Sequence, residues 1–239
     1  MVIEILFPEL CCLYGDAANA ELLLRSVPGA QAERTPPRRR PAFLDRDVGL
    51  VYMGSMTERG QQMALSALAP YRDEIERRVD GGARVLVTGN AVEIFGKYID
   101  CGDGTRIDGL GMFDIYAKRD MAHRYNGLFL GKYGQTEIVG FASRFSHMYD
   151  IAGDDAGALF KTVRGAGRSP GDSREGLRRG NFMATYVLGP LLILNPPFTR
   201  MLLRDMGEPG AAPPFEYAAM EAYEARLREF KNPKTGFEY

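Results

Sequence analysis

The chain of 239 residues is 45% apolar and 26% charged, with a formal net charge of −1, a balance that excludes disordered, fibrous and membrane-spanning classes. At this length roughly 70% of the unfolded chain's surface can be buried, so a core forms without disulfide or metal staples. Three cysteines, Cys11, Cys12 and Cys101, have neither a disulfide framework nor zinc-site spacing. With no signal-peptide pattern and no long apolar run, a reducing, cytoplasmic location is expected, and no metal or cofactor is implied. The basic residues are 24 Arg and 6 Lys, and their one dense run, Arg38-Arg39-Arg40 between prolines, reads as a solvated loop. A near-neutral chain of this kind argues against nucleic acid as a partner.

Residues 2–7 read as a strand and 17–27 as a helix stopped at Pro28-Gly29. A second strand, 48–53, leads through Gly54-Ser55 into a helix that Thr57 can cap. Another helix starts at Pro70, and its charged run Arg72-Asp73-Glu74-Glu76-Arg77-Arg78 reads as a solvent face. Residues 84–88 form a buried strand, Gly89-Asn90 a turn, and 91–98 a helix. Strand, turn and helix repeated three times imply an α/β fold with a parallel sheet covered on both faces. From Gly102 the pattern changes to short hairpin strands at 113–116, 125–133, 136–141 and 145–149. Residues 152–175 read as a loop, 181–188 as a last strand, and 198–206 and 216–230 as helices. One domain over residues 1–239 is expected, with a helical extension from about residue 198.

Open parallel sheets bind ligands beyond the carboxyl ends of their strands. The places to search are therefore Leu13-Tyr14-Gly15-Asp16, Met53-Gly54-Ser55-Met56, Thr88-Gly89-Asn90-Ala91 and Val187-Leu188-Gly189-Pro190.

These segments carry a resemblance. Leu13-Tyr14-Gly15-Asp16 with Asn19, Met53-Gly54 with Glu58-Arg59 and Gln61, the 89–96 turn, Asp108-Gly109-Leu110-Gly111 with Phe113-Asp114, Ile138-Val139-Gly140-Phe141, and Thr185 to Pro190 running to Leu194-Asn195-Pro196 stand in one order over about 190 residues. In that order the chain resembles the class I glutamine amidotransferases of the cobyric-acid-synthase-like type, within them the glutaminase subunits of lipid II isoglutaminyl synthases. The resemblance implies a three-layer, flavodoxin-like fold whose mostly parallel central sheet has added antiparallel strands. It also implies a cysteine at a strand-to-helix elbow that attacks the glutamine amide, a histidine on the late strand that carries the proton, and backbone N–H groups that hold the oxyanion.

Both key side chains are replaced here. The nucleophile position falls on Gly89 and the base position on Leu188. Glycine has nothing to attack with and leucine takes no proton, so the thioester route is closed at those positions. Thr88 is the one hydroxyl beside the elbow, and it would still lack a base. The two histidines, His123 and His147, lie outside the base position, and Cys11, Cys12 and Cys101 lie off the elbow. Met56 would place an apolar side chain at the pocket mouth. Gly54, Ser55, Asn90, Glu93 and Arg124 are the candidate ligand-binding residues, Arg124 for a carboxylate and Glu93 for an ammonium group.

The expected function is a catalytically degenerate amidotransferase-like subunit that binds a Mur-ligase-like synthetase in peptidoglycan-precursor amidation. The alternatives are an active glutaminase subunit and a sensor that takes glutamine or a related amino acid in the old pocket.

Overall fold

The computed structural model describes residues 1–151 and 157–238. The first part of the chain runs β1 (Val2–Leu6), α1 (Ala18–Ser26), β2 (Gln31–Thr35), β3 (Leu50–Met53), α2 (Glu58–Leu68), α3 (Arg72–Asp80) and β4 (Val85–Thr88). The middle is β-rich: β5 (Tyr98–Asp100), β6 (Arg106–Asp108), β7 (Ile115–Arg119), β8 (Tyr125–Tyr133), β9 (Thr136–Arg144), β10 (Ser146–Asp150), β11 (Phe160–Arg164) and β12 (Arg174–Glu175). The last part is β13 (Leu177–Arg179), β14 (Phe182–Thr185), α4 (Leu191–Leu194), α5 (Pro196–Asp205) and α6 (Glu216–Lys231).

The central sheet has the order β13-β14-β4-β3-β1-β2, parallel except for β13. Its inner strands are buried almost throughout and mostly apolar, Glu4, Thr88 and Thr185 apart, because both faces are covered. In β3, Val51 and Met53 enter one core, where α2 and α3 bring Ala64, Leu65, Leu68, Ile75 and Val79. Leu50 and Tyr52 point the other way, where Leu23 of α1 and Leu202 and Leu203 of α5 close a second core. Thr57 caps α2 as expected, accepting a hydrogen bond from the Gly60 N–H at 3.0 Å. The third layer of packing is β8 and β9 against α6, through Leu130, Val139, Tyr223 and Phe230.

The layered α/β fold stands as expected, with four corrections of detail. The added strands form two four-stranded sheets of their own, a mixed β10-β7-β5-β6 in which β5 and β7 run parallel and an antiparallel β12-β11-β8-β9, and the one antiparallel strand in the central sheet is β13. The helix expected at 91–98 is a tight 3-10 coil, Gly89–Phe95, followed by β5. Six of that coil's seven residues are buried, which leaves no solvent face for an amphipathic helix. The loop expected at 152–175 contains β11 and β12; its residues 152–156 lie outside the described residues. Strand β2, Gln-Ala-Glu-Arg-Thr, was not anticipated because it is a polar edge strand whose one buried residue is Thr35.

Candidate functional site

The chain crosses from β1 to its neighbours on both sides, β2 and β3, so a topological switch point lies at the carboxyl ends of β1 and β3. Three turns meet there: the loop after β1, residues 54–57 after β3, and the elbow after β4. Gly89 sits at that elbow with φ +65°, a left-handed conformation that glycine adopts without steric cost. A Cβ placed on Gly89 would lie 2.4 Å from Ser55 Cβ and 3.3 Å from Leu188 Cδ2. The fold therefore does bring Gly89 and Leu188 together, with Ser55 filling the space that a side chain at the elbow would need.

Beneath the elbow lies a buried polar cluster. The Asp16 carboxylate accepts from Thr88 Oγ1 at 2.5 Å, from the Ser55 N–H at 2.9 Å and from Asn19 Nδ2 at 2.7 Å. Tyr52 OH donates to the Asp16 carbonyl at 2.7 Å and lies 3.0 Å from both Thr88 Oγ1 and Asn19 Nδ2. Asn19 Oδ1 in turn accepts from the Leu192 N–H at 2.8 Å, tying α1 to α4. Burial pushes the Asp16 carboxyl up, opposed by the Thr88 and Ser55 hydrogen bonds. Thr88 is fully buried with its hydroxyl engaged by this cluster, so it is no nucleophile facing solvent.

The backbone donors of the loop are also occupied. The Ser55 N–H goes to Asp16 Oδ2, and the Met56 N–H goes to Asn90 Oδ1 at 3.0 Å while Asn90 Nδ2 donates back to the Met56 carbonyl at 2.8 Å. Neither N–H is available to an oxyanion. Gly54 lies behind the loop, where a Cβ would meet the Cys11 carbonyl at 3.0 Å and Tyr52 OH at 3.2 Å.

A cavity of about 310 Å³ remains outside the elbow, lined by Tyr14, Ser55, Asn90, Arg124, Arg144 and Leu188 among others. Ser55, Asn90 and Arg124 thus meet in one cleft, with the Arg124 guanidinium 4.3 Å over the Phe145 ring. Met56 lines the same cleft although it is almost wholly buried.

Glu93 does not line this cleft. It is 1% exposed and faces inward, accepting from Gln61 Nε2 at 2.9 Å and Tyr186 OH at 3.2 Å, with Arg119 Nη2 at 3.7 Å. The expectation that it meets a ligand's ammonium group is corrected by this geometry, because its oxygens already have partners in the core. Burial pushes its carboxyl up, against Gln61 and Arg119. His123 is exposed and paired with Asp120 at 2.8 Å. His147 packs on Tyr125. Burial pushes the Cys11 thiol up to about 12, which leaves almost no thiolate at neutral pH. Among the described residues no cluster of His, Cys, Asp and Glu could hold a metal.

A crystal structure of a glutamine amidotransferase superposes on the chain with a TM-score of 0.52 at 15% identity, covering 87% of this chain and 100% of that one. The fold is that of a glutamine amidotransferase. A second glutamine amidotransferase, from Thermotoga maritima, covers 96% of this chain and 91% of its own at 12% identity, with a TM-score of 0.48. In sequence, this amidotransferase-like chain is related to the GatD subunit of the glutamine-hydrolysing lipid II isoglutaminyl synthase of Staphylococcus aureus strain N315, at 26% identity over 159 residues. The match takes in 66% of this chain and spans 64% of the relative's length. No protein-family model matches the chain.

The sequence places Gly89 at the turn after β4 and Leu188 beyond β14, and it does not show that Ser55 fills the space between them. Leu13-Tyr14-Gly15-Asp16 with Asn19 marks the segment after β1 without showing that its polar side chains are buried. The signal for their role was a polar triplet of Asp, Asn and Tyr at positions that both cores require to be buried.

Proposed function

We propose that this chain is an amidotransferase-like subunit that no longer hydrolyses glutamine and acts by binding a Mur-ligase-like synthetase that amidates a peptidoglycan precursor. The elbow carries this reading. At Gly89 the place of a nucleophile is filled by Ser55, the facing side chain is Leu188, and the adjacent N–H groups are bonded to Asp16 and Asn90. Covalent attack on an amide needs a nucleophile, a base and oxyanion donors together, and each is missing at this point. The relative's name as a subunit of a lipid II isoglutaminyl synthase supports the partner. In this reading the synthetase uses free ammonia, and the subunit stabilises or positions it.

The 310 Å³ cavity favours a second reading, in which Ser55, Asn90 and Arg124 hold a small amino acid such as glutamine and report its level to the partner. Co-purification with a synthetase encoded beside the chain, together with an ammonia-release assay on glutamine, tests both readings. Stable co-elution without ammonia release is expected. Ammonia release that disappears in Thr88→Ala restores the active glutaminase, and failure to bind any such synthetase removes the partner role.

A further inference from the structure

On the β8–β11 side, away from the elbow, a cavity of about 420 Å³ is lined by Lys132, Lys161, Arg174 and Arg178 around Tyr133, with Ser173 at its edge. Among the described residues no carboxylate lines it. Lys132 and Lys161 are register partners across the antiparallel β8–β11 pair, which sets two ammonium groups side by side on one face, an arrangement that costs stability. Glu137 faces Lys132 from β9 but ion-pairs Lys231 at 2.6 Å instead. Arg174 holds Asp150 at 2.6 Å and Asp172 at 3.0 Å, so those acids are engaged. Arg178 lies 5.0 Å over the Tyr133 ring, which is wedged between Phe160 and Phe198. Its one hydrogen bond to a described acceptor runs from Nε to the Gly180 carbonyl at 3.5 Å, leaving the rest of its planar fork open.

We propose that this cavity binds a phosphoryl anion, presented either as a free diphosphate or as the headgroup of an anionic lipid. The chemistry favours phosphoryl oxygens over a carboxylate. Lys132, Lys161 and Arg178 have no carboxylate partner among the described residues, and one carboxylate would neutralise a single cation of the three. Two lysine point charges beside a guanidinium fork match a ligand with several charged oxygens. The ring of Tyr133 holds the fork in place before the ligand arrives. The cavity shares no lining residue with the elbow cleft, so its role is independent of any loss of glutamine hydrolysis.

The test titrates inorganic diphosphate into the full chain by calorimetry, and separately measures co-sedimentation with vesicles of phosphatidylcholine with and without phosphatidylglycerol. Wild type is compared with Lys132→Gln/Lys161→Gln and with a charge-matched control, Lys118→Gln/Lys234→Gln. Saturable diphosphate binding that weakens at least tenfold in the first double variant and is unchanged in the control supports a site for a free ligand. Vesicle binding that requires phosphatidylglycerol and is lost only in the first variant supports the headgroup. No binding in either arm overturns the proposal, as does equal weakening in both variants, which marks general electrostatics. Both doubles change exposed lysines, and the cavity variant is expected to melt at or above the wild-type temperature because like charges are relieved.

Discussion

The elbow cleft and the basic cavity on the β8–β11 face are both lined by polar side chains, yet they differ in what those groups are bonded to. At the elbow, Asp16 accepts from Thr88 and from the Ser55 N–H, and Asn90 exchanges two bonds with the Met56 backbone, all at 2.5 to 3.0 Å, so both loop N–H groups are bonded to side chains. At the basic cavity, Lys132 and Lys161 face each other, and among the described residues no carboxylate lines the space around them. A polar group whose hydrogen bonds are complete inside the protein holds the fold, and one whose charge is left uncompensated has capacity for a ligand. The difference teaches that a site can be polar throughout and still leave few groups free for a ligand.

The largest expected effect concerns the buried acid next to the elbow. Arg119 donates to Gln61 Oε1 at 2.5 Å and lies 3.7 Å from Glu93, which is buried among core residues. Arg119→Met leaves the Glu93 carboxylate uncompensated and should destabilise the chain by about 3–5 kcal/mol, read as a lower midpoint in urea. Adding Glu93→Gln should recover part of the loss. The sign with pH is definite: burial raises the Glu93 carboxyl in the folded state, so the single variant's deficit should shrink as pH falls and the carboxyl is neutralised. A loss below 1 kcal/mol at neutral pH would mean that the elbow region tolerates free charge as the basic cavity does, and the contrast would be gone.

Next in size is the elbow itself. Gly89→Cys places a Cβ 2.4 Å from Ser55 Cβ on a backbone with φ +65°. Overpacking and the left-handed backbone together should cost about 2–4 kcal/mol, a fall in Tm of roughly 5–15 °C for a chain of this length. Ser55→Gly in the same chain should recover the overpacking part of it and leave the backbone part. Neither variant is expected to release ammonia from glutamine, since Leu188 and the bonded N–H groups remain. A Gly89→Cys protein that melts with wild type would show that the elbow has room after all.

Much of this was legible in the sequence where burial is two-sided. The apolar runs of β1, β3 and β4 and the Thr57 cap lie where the pattern puts them, and β8 spans the same residues, 125–133. The polar strands β2, β11 and β12 gave no such signal. They lie at or near sheet edges where half or more of their positions face water, so the two-residue alternation is weak. Gly89 is legible as a tight turn because glycine adopts φ +65° there without steric cost. Its seal could not be read, because Asp16 meets Thr88 across 72 residues and Arg119 meets Gln61 across 58. The same distance effect turned Glu93 from an expected ligand contact into a core group.

The smallest effect tests the wall of the cleft. Arg144 lines the cavity, stacks 3.9 Å over Tyr186 and donates to the Gly167 carbonyl at 2.6 Å. Its guanidinium also lies 3.5 Å from His147 Nδ1. Burial first, and the Arg144 charge second, pull His147 from its ordinary 6.5 down to about 4. Between those two values the unfolded chain holds a proton on this ring and the folded chain does not, so its contribution to stability is lost as pH falls through that window. His147→Gln removes the titration, and in chemical denaturation at pH 7 and pH 4.5 the wild type should lose on the order of 1–2 kcal/mol more than the variant. The figure is set below that of a dry ring because water reaches part of the imidazole. The buried acids Asp16, Glu93 and Glu175 shift upward and act with the opposite sign, but they are common to both proteins and cancel in the difference. Equal acid losses in the two proteins would mean that the ring gains water and Arg144 moves away as it protonates. The cleft wall would then yield where the polar cluster beneath the elbow is bonded in place.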